Sequence, residues 1–190
     1  IESHSAVSPG SVTPKDLSAL RMGMYNKVQN SPARESYITF DILGGDLTQS
    51  TGNARDLINS VLSSLNSIVA NSWNGYYNAL YQVNNVISIV EDLPESDLRN
   101  LIIGEAHYFR AYIYHSLVTR WGGVPIQRVN TMDKPFRDSE EAVWAFIEEE
   151  LETALAFLGT SSSCYYVSRD AALALKARVM LERGKKTEAA

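Results

Sequence analysis

The stretch that most constrains the fold is residues 104–126, GEAHYFRAYIYHSLVTRWGGVPI. Apolar and aromatic residues recur in it at helical spacing, and the predicted helix runs over about residues 96–121. Leu98, Leu101, Ile102, Tyr108, Phe109, Tyr112, Ile113 and Leu117 cover its broad apolar face. Gly122 stands where a left-handed residue stops a helix, and Val124-Pro125-Ile126 then reads as extended. Glu105 and Arg110 sit in this otherwise apolar surface. Five residues separate them, about 140° around a helix, so they cannot form an i,i+4 pair. Each is expected to reach a neighbouring helix. Asn84, at the margin of the preceding helix's stripe, is their natural hydrogen-bond partner. Asn84, Glu105 and Arg110 are therefore read as a structural polar tie that fixes helix register. That is a scaffold signature, pointing toward a helical binding module and away from an enzyme.

The rest of the chain supports an all-α fold, with six helical patterns and no convincing period-2 run of strand length. Thr13 is an N-cap candidate, with Pro14 and Asp16 behind it and Leu17, Leu20, Met24 and Val28 on one face until Asn30-Ser31-Pro32. A second helix is expected over 54–71 from Leu57, Val61, Leu65 and Ile68. A third spans Trp73 to Glu91, with Tyr76, Leu80, Val83, Ile87 and Val90 as its stripe. After the helix at 96–121, Ser139 caps one that runs to Gly159, and Ser168 caps another through Arg183, ended by Gly184. Ala172, Ala177, Leu181, Gly184 and Ala189 carry the small-residue spacing of a tetratricopeptide helix pair. Its second helix has hardly started at Ala190, and a half-built repeat exposes its apolar face. The chain is accordingly expected to be a fragment, with a flexible tail over 1–10 and one helical domain over 11–190.

Charge and composition exclude several function classes. The net charge is −5 with no block of Lys or Arg to offset it, so a nucleic-acid footprint is absent. No apolar run reaches the roughly 20 residues of a membrane helix. The single cysteine, Cys164, permits no internal disulfide. His107 and His115 lie eight apart, without the i,i+4 spacing of a helical metal site, so no metal or cofactor is expected. No strand–turn–helix nucleophile elbow is present, and Gly44-Gly45 and Gly122-Gly123 lack the spacing of phosphate loops.

Several motifs, in order, resemble the SusD/RagB family. Thr13-Pro14-Lys15-Asp16-Leu17 with Met24-Tyr25 is similar to the family's opening helix. Trp73, Tyr76, Tyr77 and Val83-Asn84-Asn85-Val86-Ile87 resemble its aromatic-then-asparagine helix. Gly104-Glu105-Ala106, Phe109-Arg110-Ala111 and Trp121-Gly122-Gly123-Val124-Pro125 resemble its best-known motif, and Arg169-Asp170-Ala171-Ala172 through Ala177-Arg178 and Leu181 its following helix. The resemblance implies tetratricopeptide-like helix pairs forming an α-α superhelical scaffold. It implies a lipid-anchored protein on the outward face of a bacterial outer membrane that captures a glycan or oligosaccharide, or a peptide. It also implies a SusC-like TonB-dependent transporter as partner. Cys164 is internal and is not the lipidated residue, so membrane contact is implied only through an anchor outside this sequence.

Sugars pack their apolar faces on aromatic rings while polar neighbours bond the hydroxyls. Tyr76, Tyr108, Tyr112 and Trp144 fall on helical stripes and are read as core. The candidate ligand-binding residues are Tyr37 and Phe40 beside the loop 44–53, Asp46, Thr48, Gln49 and Asn53 within it, and Tyr165-Tyr166 in the Ser-rich connection. No residue is read as catalytic. The competing reading is a stand-alone tetratricopeptide scaffold that binds a protein partner.

Overall fold

The computed structural model describes residues 12–32, 44–45, 53–59, 63, 66–160 and 163–189. All regular structure among them is helical. A 3-10 turn at Pro14–Asp16 leads into α1 (Leu17–Asn30), followed by α2 (Asn53–Ile58), α3 (Ser67–Glu91), α4 (Asp97–Trp121), α5 (Glu140–Phe157), α6 (Arg169–Glu182) and the short α7 (Lys186–Ala189).

Side-chain caps set most of the helix starts. The Asp16 carboxylate accepts from the Thr13 backbone N–H at 2.9 Å and from the Thr13 hydroxyl at 2.8 Å. Ser96, Ser139 and Ser168 accept from the N–H groups of Arg99, Ala142 and Ala171 at the starts of α4, α5 and α6. Each such cap is worth about 1 kcal/mol. The helix expected over 54–71 is a correction: α2 ends at Ile58, and Ser63 and Asn66 are not helical. Asn66 instead caps α3, its side chain accepting from the Ile68 N–H at 2.9 Å. Helix α3 therefore begins six residues before the expected Trp73.

α3 and α4 each have 25 residues, about 37 Å of helix, and the short connection 92–96 turns α4 back alongside α3. α5 packs most intimately on α4, α6 follows on α5, and α1 lies across α3 and α4. Tyr76 and Leu80 from α3, Ile102, Ile113, Tyr114 and Leu117 from α4, and Ile147 and Leu151 from α5 are fully buried where these layers meet. Gly75 permits the approach of α1 to α3, since a Cβ there would lie 2.5 Å from the Ser31 carbonyl oxygen. Tyr112, read as core, is a second correction: it turns outward and is exposed.

Gly122 ends α4 at φ +68, a conformation that side-chain-bearing residues rarely adopt. The following Gly-Val-Pro-Ile is strapped down from three directions. The Tyr77 hydroxyl donates to the Pro125 carbonyl at 3.0 Å, and Asn84 donates to the Gln127 carbonyl at 2.9 Å. Asp138 accepts from the Ile126 N–H at 2.7 Å, and the Gln127 N–H donates to the Tyr114 hydroxyl at 2.6 Å. Trp121 closes the corner edge-on against Trp73, ring centroids 5.3 Å apart.

Candidate functional site

Among the described residues two carboxylates are buried at α4, Glu105 from α4 itself and Glu150 from α5, and both are caged by donors. Glu150 on α5 accepts from Arg110 Nε and Nη2 at 2.7 and 2.8 Å, and its Oε2 lies 2.8 Å from His107 Nδ1. Arg110 Nη1 reaches on to the Asn84 side-chain oxygen at 3.2 Å and the Arg128 carbonyl at 3.0 Å. Burial opposes ionisation of Glu150. The bonds from His107 and Arg110 outweigh it and hold the carboxyl below its usual range.

Glu105 belongs to a different cage. Arg21 on α1 donates to it through Nε at 2.7 Å and Nη2 at 2.6 Å, and the Tyr25 hydroxyl donates at 2.7 Å. The residues read as one trio are thus divided: Asn84 and Arg110 share a bond, while Glu105 faces α1. The 140° between Glu105 and Arg110 is what sends them to opposite neighbours. Glu150, His107, Arg21 and Tyr25 were not read as partners of the tie in the sequence. The available signal was phase: Glu150 lies three residues after Ile147 and four before Ala154, both on the apolar stripe of its helix.

The Glu105 cage opens toward the surface. The Tyr25 hydroxyl also accepts from the Val167 N–H at 2.9 Å, and the Arg21 guanidinium carbon stands 3.8 Å from the centroid of the Tyr166 ring. Tyr25 meets Tyr166 edge-on at 5.4 Å and Phe109 at 4.8 Å. Burial, then the Glu105 bond, pushes the Tyr25 hydroxyl up, so it stays protonated at neutral pH. Of these groups Tyr25, Phe109, Tyr166 and Val167 line a cleft of about 570 Å³ between α1, α4 and the connection before α6. Among the described residues its rings are Tyr25, Tyr108, Phe109, Tyr112, Tyr165 and Tyr166, and Val28, Gln29, Pro32, Cys164, Val167 and Ala171 also line it. Cavities of this size suit a small ligand.

Of the candidate ligand-binding residues, the structure brings Tyr165 and Tyr166 to this cleft. Tyr37, Phe40, Asp46, Thr48 and Gln49 lie outside the described residues, as does the side chain of Asn53, whose backbone starts α2. Tyr108, Phe109 and Tyr112 are cleft residues that the helical stripe concealed. Among the described residues no three His, Cys, Asp or Glu side chains gather as a metal site, and no described helix is long and apolar enough to cross a membrane.

Residues 8–181 match a SusD-like family described as starch-binding associating with outer membrane. SusD-like protein P38 of Formosa agariphila is 32% identical over 133 residues, 67% of this chain and 26% of that protein. A structure solved with a xylogluco-oligosaccharide superposes with a TM-score of 0.78 at 25% identity, over 88% of this chain and 35% of the other. A protein named as a laminarin-binding SusD-like protein superposes with a TM-score of 0.81 at 20% identity, over 93% and 42%. The chain thus spans about a quarter of that curated relative and well under half of these solved chains.

Proposed function

This chain belongs to the SusD-like family, and on that premise we propose that it is the helical part of a protein that captures a glycan or oligosaccharide and performs no chemistry on it. The protein works on the outward face of the outer membrane, lipid-anchored, and passes its ligand to a TonB-dependent transporter.

The observation that carries this reading is the family match over residues 8–181. The ligands in the names of two structural relatives, laminarin and a xylogluco-oligosaccharide, support a glycan over a peptide. The chemistry of the buried carboxylates supports binding without turnover. Both oxygens of Glu105 and both of Glu150 already accept from Arg, Tyr or His. A general acid or base needs an oxygen within reach of the substrate, and these are buried and turned to their own donors.

Calorimetric titration of the full-length protein with laminarin and xyloglucan oligosaccharides, paired with product analysis, tests the reading. Saturable binding with no new reducing ends is expected. Cleavage of either sugar overturns the non-catalytic assignment, and binding of peptides alone overturns the glycan assignment.

A further inference from the structure

We propose that the cleft between α1, α4 and residues 163–168 is a subsite for an uncharged oligosaccharide, and that Tyr25, held by the buried Glu105 and Arg21, positions its outer wall. The inference rests on the glycan reading above and adds to it a place, a charge class and a positioning device.

The charge class follows from the lining. None of the described lining residues is Asp, Glu, Lys, Arg or His. Arg21, which lies on the Tyr166 ring, has Nε and Nη2 committed to Glu105, so its charge is matched from within. A uronate or sulfate in this cleft would lose water and find no counter-charge among the described lining residues, which is costly. A neutral sugar would lay its C–H faces on the rings and keep its hydroxyls at the open edge. Tyr112 and Tyr165, the two exposed rings, are the ones such a ligand would cover.

The wall is set from below. Residues 164–167 bring Tyr165 and Tyr166 to the cleft, and contacts from α1 hold them there: the Tyr25 hydroxyl on the Val167 N–H, the Arg21 guanidinium on the Tyr166 face, the Tyr25 ring edge-on to Tyr166, and Met22 accepting from the Tyr166 hydroxyl. Glu105 fixes both Arg21 and Tyr25. It touches no ligand and acts through them. Phenylalanine at position 25 would keep the ring packing on Phe109 while cutting the link to Val167.

The experiment uses the full-length protein titrated with neutral laminarin and xyloglucan oligosaccharides and with an anionic oligogalacturonate. Tyr112→Ala and Tyr165→Ala are each expected to weaken neutral-sugar binding about tenfold, and Tyr165→Ala, at the far more exposed ring, to leave the melting temperature unchanged. Tyr25→Phe is expected to weaken it about three- to tenfold. In that variant, amide exchange at Val167 is expected to quicken in the free protein and slow again on saturation with sugar, a recovery that a purely structural role for Tyr25 would not produce. If the unaltered protein binds neutral sugar and the Tyr112 and Tyr165 variants bind as well, the cleft is not a subsite, and the glycan reading stands without it. A fall of several degrees in the melting temperature of unliganded Tyr165→Ala shows a cleft filled by the protein's own chain, which also overturns the proposal. Tighter binding of the oligogalacturonate overturns the charge class. Absence of binding to any of these sugars removes the glycan reading and the inference together.

Discussion

The cages around Glu150 and Glu105 use the same chemistry, a carboxylate gripped by two nitrogens of one arginine, yet they serve different parts of the molecule. In the first, cation and anion are both sealed off, with side chains 6% and 2% exposed. Its remaining bonds run inward, to His107, Asn84 and the Arg128 carbonyl, so α3, α4, α5 and the strap after α4 share one network. In the second, Glu105 is fully buried but Arg21 keeps 16% of its side chain exposed, and the other contacts run outward to the cleft wall. The depth of the cation decides which cage is scaffold and which supports a surface.

The largest test of that contrast is Glu150→Gln. It leaves Arg110 buried without a counter-charge, and the expected loss in a urea unfolding experiment is about 3–5 kcal/mol. Glu105→Gln should cost less, about 1–3 kcal/mol, because Arg21 can turn toward water. Equal losses for the two would show that exposure of the cation does not separate them. The third test uses pH. Burial pushes the His115 imidazole below its ordinary 6.5 despite the bond to Glu182 at 2.7 Å. Below pH 6.5 the unfolded chain therefore binds a proton that the native state resists. Stability falls with pH from that point until the native imidazole also protonates. His115→Gln should flatten this segment of the stability–pH curve. The depressed Glu150 acts at lower pH: its contribution is full above about 4.5 and is lost as pH falls through its native value. Glu150→Gln should flatten part of that segment, which Glu150 shares with the likewise depressed Glu149 and Glu182. The smallest effect belongs to the exposed bidentate pair of Arg128 and Glu149, with side chains 53% and 56% exposed. Glu149→Ala should change the unfolding free energy by about 0–1 kcal/mol, and a loss approaching that of Glu150→Gln would break the argument from burial.

The helical fold was legible because its starts are written locally. Ser96, Ser139 and Ser168 stand directly before periodic apolar runs, and each is a cap in the structure. The misreading over 54–71 came from letting Leu57 and Ile68 define one stripe across Asn66, whose capping side chain starts a new helix there. The site was less legible, because side-chain spacing along one helix can exclude a pair but cannot name a partner. That Glu105 and Arg110 do not bond each other followed from geometry. That Glu105 takes Arg21, 84 residues away, and Arg110 takes Glu150, 40 residues away, depends on how α1 and α5 pack. Glu150 was further hidden in the run Glu148-Glu149-Glu150, which reads as a solvated acidic face. Tyr112 shows the same limit: it shares a helix with buried rings yet faces the cleft.

The strapped segment after α4 has a consequence for how the molecule tolerates change in length. Residues 123–127 are tied to α3, α4 and Asp138, so an extra residue there would shift Pro125 and Gln127 away from Tyr77, Tyr114 and Asn84 together. A few residues later the same connection carries Met132 and Phe136 almost wholly in solvent. Inserted peptides, epitope tags or reporter domains should therefore be accepted between Thr131 and Phe136 and rejected between Gly123 and Gln127, giving one short connection an adaptable half and an invariant half.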